Sequence, residues 1–231
     1  MEAVLVNDDI QRRFIMKRFR WSIAVYFVLF VFVLFVLFND YSPILIVVGA
    51  VVACLIAFII QFYYPAVLEK RMDRVESFLR SQKNNPSLYI QYVLANRLDD
   101  ESRTVMEKLM SKYKQVAVQA TFKAAYGLYR KELAAVQEAV PYIRYSDYRT
   151  YYETALLLED GKSAQAREHL ESIRKQWMRS ALLAEIELKA GNSETAINHA
   201  REAVSASRGV QRYVLHKEYE RTLPQALEAV S

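Results

Sequence analysis

Few side chains in this 231-residue chain are spaced for chemistry. Gly161-Lys162-Ser163 copies the end of a phosphate-binding loop, but the glycine needed five positions earlier is Leu156, and the flanking pattern is a helix-to-helix turn. His169 and His199 hold equivalent places in two similar segments and could offer two imidazoles to a metal. No Cys or carboxylate stands beside them at ligand spacing, and His216 stands alone. Asp99-Asp100-Glu101 could attract a cation, yet at a helix start the same acids favour the positive end of the dipole. Cys54 has no cysteine partner and sits in an apolar run, where it packs as a small hydrophobe. No Ser, Cys or Lys falls in a nucleophile motif. The sequence therefore names no catalytic, cofactor-binding or metal-binding residue, and the expectation is a protein that is not an enzyme. What remains is a cluster of Tyr142, Tyr145, Tyr148, Tyr151 and Tyr152 with Arg144 and Arg149. Tyr and Arg are favoured in protein contact patches, and packing between helices is the competing explanation.

The elements that must carry this cluster follow from composition. Five glycines and five prolines leave little for β-turns, and helix-forming residues dominate after residue 66, so the fold class is all-α. The formal net charge is +5, and residues 66–231 hold 26 basic and 22 acidic side chains in close alternation. A nucleic-acid partner would call for a concentrated basic face, so none is expected.

Near the N-terminus, Trp21–Phe38 is an uncharged run of 18 residues. At 1.5 Å per residue it spans roughly 27 Å, close to the thickness of a bilayer's hydrocarbon core. After the short loop 39–43, a second uncharged run covers Ile44–Tyr64, with Ser42 and Pro43 placed as N-cap and first helical residue. The expectation is a transmembrane hairpin, 21–38 and 44–64, with the lipid bilayer as its surroundings. Arg12, Arg13, Lys17, Arg18 and Arg20 precede it, Lys70, Arg71 and Arg74 follow it, and its loop has no basic residue. Both termini are therefore expected in the cytoplasm of a multi-pass protein of the cell membrane. Gly49, Ala53 and Ala57 recur every four residues and offer a close-packing face to the other span or to a membrane-protein partner. Neither span carries an internal charge, which argues against transport by this chain alone. The basic segment 1–20 ends in a mixed apolar and cationic stretch suited to the lipid interface. Residues 65–85 are expected as a juxtamembrane connector helix, and 86–231 as the cytoplasmic domain.

That domain repeats at an offset of 30 residues: Arg149, Leu158, Gly161, Ser163, Ala166 and His169 match Arg179, Leu188, Gly191, Ser193, Ala196 and His199. Each glycine closes an apolar helical stretch, and each serine is placed as the N-cap of a second helix. Leu182, Leu183, Ile186 and Leu188 in one first helix, and Ala196, Ala200 and Ala203 in its partner, are spaced for a buried stripe. Two further pairs are expected upstream, 86–97 with 100–113 and 115–127 with 131–144, and a final helix near 210–223.

Gly161, Ala166, Leu170 and Ile173, and then Gly191, Ala196, Ala200 and Ala203, follow the pattern of the tetratricopeptide family, which this region resembles. The period of 30 instead of 34, the small Thr150 and Ser180 where an aromatic is expected, and the lack of a closing proline depart from that pattern. The resemblance implies a tetratricopeptide-like (TPR-like) α-solenoid that binds a protein or peptide partner. It also implies that Tyr148 and Tyr151, with Arg144 and Arg149 nearby, turn towards a concave groove. The resulting expectation is a membrane-anchored scaffold or adaptor, with an accessory subunit docking through its hairpin as the alternative.

Overall fold

The computed structural model describes Val31 and residues 43–228. Apart from Val31, the expected first span at 21–38 and the basic segment 1–20 lie outside the described residues. Regular structure among the described residues is entirely helical. The chain divides into two compact units between Tyr64 and Pro65.

Helix α1, Pro43–Phe58, continues as π-helical turns over Ile59–Leu68. Pro65 lies inside these turns and lacks the N–H that an α-turn would use, which favours local widening of the backbone. Val47–Leu68 is the one helix among the described residues long and apolar enough to cross a membrane. Its bulky side chains, Val47, Val51, Leu55 and Ile59 among them, are exposed, as an apolar solvent would permit. Gly49, Ala53 and Ala57 form a half-buried stripe on the same helix.

The second unit contains α2 (Met72–Ser81), α3 (Pro86–Ala95), α4 (Asp99–Lys112), α5 (Val116–Arg130) and α6 (Leu133–Ala139). A 3-10 turn at Val140–Tyr142 follows, then α7 (Ser146–Glu159), α8 (Ser163–Leu170), α9 (Gln176–Lys189), α10 (Ser193–Ala206) and α11 (Gly209–Thr222). The expected connector helix is interrupted before α2. Glu69 is buried, and its carboxylate accepts the Lys70 and Arg71 N–H groups at 3.0 and 3.1 Å. Arg74 pairs with the same carboxylate at 3.2 Å, so one acid satisfies the backbone exactly where the helix stops being continuous.

The first helices of the four pairs start at residues 86, 116, 146 and 176, thirty apart throughout. All four pairs turn in the same way. A residue one or two positions past the first helix is left-handed (Arg97, Lys131, Gly161, Gly191), and the next N–H reaches back to a carbonyl five residues earlier. These bonds are Leu98 to Val93, Glu132 to Gly127, Lys162 to Leu157 and Asn192 to Glu187, at 2.8–3.0 Å. They satisfy carbonyls that a helix end would otherwise orphan. Ser163 and Ser193, expected as N-caps, are instead the first helical residues; the caps are Lys162 and Asn192, without side-chain cap bonds. The turn is so short that its last residue also opens the next helix, which leaves no position for a serine cap.

Ala184, Ala196, Ala200 and Ala203 are almost fully buried, and their small size lets α9 and α10 pack closely. Leu158, Leu170, Ile173, Met178, Leu182 and Ile186 join α7 and α8 to α9 in one core, each contributing roughly 1.5–3 kcal/mol by burial. Leu188, expected in the inward stripe, is 38% exposed whereas its repeat mate Leu158 is 2% exposed. Leu158 is covered by α9 of the following pair, whereas among the described residues α10 is followed by the single helix α11.

The last helix does not simply cap the array: α11 packs on α10 and also against α2 and α3. Its Tyr213 stacks on Tyr92 at 6.5 Å, and Asn96 Nδ2 donates to the Tyr213 hydroxyl at 2.8 Å. Arg221 donates to the Ala95 carbonyl at 2.8 Å. Gly209 N–H donates to the Glu69 carbonyl at 2.7 Å, and a Cβ there would lie 2.1 Å from the Ala66 oxygen. First and last helices thus close on one another.

Candidate partner-binding site

Tyr148 and Tyr151 stand one helical turn apart on α7, so one face presents both rings. Each is half-buried and packs against the core of the second pair and that of the third. The Tyr151 ring meets Tyr152 edge-on at 5.3 Å, and Lys175 Nζ lies 4.4 Å from the Tyr148 ring centroid, an intramolecular cation–π contact. The two tyrosines are thus part of the seam between pairs. Arg149 donates from Nε and Nη2 to the Ile143 carbonyl at 3.1 and 2.7 Å, which clasps the turn before α7. Arg144 is exposed, as are Tyr142 and Tyr145.

The structure adds residues to this face that the sequence did not single out. Glu185 on α9 and Glu218 and Tyr219 on α11 lie within electrostatic reach of Tyr151. Burial, and then the charge of Glu185, push the phenols of Tyr151 and Tyr219 up from their ordinary range. Tyr219 is 6% exposed, and its hydroxyl has no hydrogen-bond partner among the described residues. Burial likewise raises the Glu185 carboxyl, which Lys189 offsets only in part. Glu185 forms no hydrogen bond or ion pair among the described residues, because Lys189 is engaged by Glu159 and the Leu158 carbonyl at 3.0 and 3.1 Å. Glu218 is held by Arg221 at 2.6 Å and Arg97 at 3.5 Å. Arg97 in turn covers the Tyr129 ring at 5.1 Å, and the Tyr129 hydroxyl donates to Asp99. In sequence Glu185 is one more acid in a helix, and Tyr219 one more tyrosine; the packing of α9 on α7 brings Glu185 to Tyr151, and α11 adds Tyr219.

The other candidates resolve into local structure. Lys162 pairs with Asp160 at 3.0 Å within the α7–α8 turn. His169 borders a shallow depression of about 520 Å³ beside Glu153, Leu156 and Asp160, while His199 faces Glu202 at 3.7 Å. Among the described residues, no three His, Cys, Asp or Glu side chains gather as a metal-ligand set. Asp99, Asp100 and Glu101 occupy the first turn of α4, and Glu101 accepts the Tyr89 hydroxyl at 2.5 Å. No family model, curated protein or solved structure matches this chain.

Proposed function

We propose that this chain is a membrane-anchored scaffold whose cytoplasmic, TPR-like helix pairs bind a protein or peptide partner and so assemble or regulate a membrane complex. In this reading the apolar runs 21–38 and 44–64 form a two-span hairpin with both termini in the cytoplasm. The basic flanks and the charge-free loop support that orientation. The observation that carries the proposal is the half-buried Glu185 carboxylate beside Tyr148 and Tyr151, which has no ion pair or hydrogen bond among the described residues. A half-buried carboxylate without a partner is destabilising, which fits a site completed by hydrogen-bond donors from elsewhere. Helix arrays expose extended surfaces of this kind to partners.

The test is capture from native membranes in detergent, comparing the natural chain with Glu185→Gln/Tyr219→Phe and with Tyr148→Ala/Tyr151→Ala. The first double variant keeps shape and helix packing and should lose the partner. Undiminished recovery by both would overturn the inner face as the binding surface. The half-buried stripe of Gly49, Ala53 and Ala57 favours a second reading, an accessory subunit that docks on a transporter or membrane enzyme through its hairpin. Ala53→Leu should abolish association in that case and leave it intact in the first.

A further inference from the structure

The helix array separates two kinds of connection. Because successive helices run antiparallel, the turns inside pairs lie along one edge of the array and the connections between pairs along the other. Within-pair turns carry mixed charges that are mostly paired, Arg97 with Glu218 of α11, Arg130 with Glu132, Lys162 with Asp160 and Lys189 with Glu159, while the Lys131 side chain has no ion-pair partner among the described residues. The connections 112–116, 140–146 and 206–209 contain no acid, and 170–176 contains one, Glu171. Their basic residues are Lys112, Lys114, Arg144, Arg174, Lys175 and Arg208, all exposed; none of these side chains forms an ion pair or a hydrogen bond among the described residues, while Lys112 and Lys175 lie over the rings of Tyr113 and Tyr148 and the Arg174 N–H donates to Asp147. Tyr142 and Tyr145, 57% and 68% exposed, flank Arg144 on the same edge. Charges that alternate along the sequence are therefore sorted by the fold.

We propose that this edge is a docking surface for the anionic headgroups of a lipid bilayer. Unpaired cations near a negatively charged leaflet are each attracted to it, and tyrosines beside them gain from an environment with one wet and one apolar side. The apolar helix Val47–Leu68 in the same chain supplies the reason to choose lipid over another polyanion. The proposal rests on the reading that this helix spans a membrane.

The experiment reconstitutes the full chain into nanodiscs of phosphatidylcholine alone or of phosphatidylcholine with phosphatidylglycerol, and follows backbone hydrogen exchange. Exchange over 112–116, 142–146 and 173–176 should be at least about fivefold slower with the anionic lipid, the factor expected from a single basic side chain at such a surface. High salt should remove the difference by screening, and so should Lys114→Glu/Arg144→Glu/Arg174→Glu, whose three sites are exposed. Equal exchange in the two lipids, or protection that persists in high salt, would overturn the proposal. A chain that never enters the discs would refute the span instead. Flotation with anionic but not zwitterionic vesicles would then still support the edge, and no flotation would refute it.

Discussion

The pairs at 86–142 and at 146–206 make the same turn with different residues. In the later pairs the left-handed position is glycine, with φ of 75° and 83°; in the earlier pairs it is Arg97 and Lys131, with φ of 56° and 59°. A side chain in this region costs roughly 1–2 kcal/mol. Arg97 has compensation, because its guanidinium covers Tyr129 and reaches Glu218 on the returning helix. The Lys131 side chain is exposed and forms no ion pair or hydrogen bond among the described residues. A backbone repeat thus survives loss of its sequence motif in two ways, through long-range contacts at one turn and uncompensated local strain at the other.

The closure that gives Arg97 its role can be broken directly. Gly209→Ala adds a Cβ against the Ala66 carbonyl at a residue with φ of 55°, and should cost about 2–4 kcal/mol. Denaturant unfolding of the detergent-solubilised chain measures it, and an unchanged midpoint would mean that α11 does not need this approach. At the turns, Gly161→Ala should cost about 1 kcal/mol, since nothing lies within 4 Å of the added carbon and only the backbone conformation resists. Lys131→Gly should do the reverse and stabilise by about 0.5–1 kcal/mol, whereas Arg97→Gly should not gain, because it also loses the closure contacts. Equal gains at 97 and 131 would remove the distinction.

The smallest effect concerns carboxylates. In the early pairs Asp99 and Glu101 accept tyrosine hydroxyls, while Glu185 in the later pairs has no such donor. Its carboxyl is raised above 4.5 by burial, so the folded state holds the proton more tightly than the unfolded one, and stability declines as pH rises from that value through the raised one. Glu185→Gln should therefore stabilise the protein at neutral pH by less than about 1 kcal/mol, with the gain vanishing at acid pH. Thermal unfolding at neutral and acid pH would show it. A gain that stayed constant with pH would point to packing instead of charge.

The helices were legible in the sequence because their signals are local. Apolar spacing of three and four, Pro86 at a helix start, acids in the first turn of α4 and glycines past α7 and α9 all act within a few residues. The apolar length of α1 and its π-helical continuation was legible for the same reason, since hydropathy needs no neighbour to be read. Part of the candidate site was legible as well: the tetratricopeptide resemblance singled out Tyr148 and Tyr151, which share a face of α7.

What only the tertiary structure decided involves residues more than a hundred positions apart. Asn96 meets Tyr213 and Arg221 meets the Ala95 carbonyl, and no period or motif encodes that return of α11. Glu185 joins Tyr151 because α9 packs on α7, and Tyr219 because α11 packs on the same array. The basic edge arises because antiparallel helices sort charges that merely alternate along the chain. By itself the sequence determined which segments are helical and where they turn, through short-range backbone and hydrophobic forces. Which helix ends meet, and which polar groups are left unsatisfied or unpaired, was set by packing in three dimensions, where burial depends on distant residues.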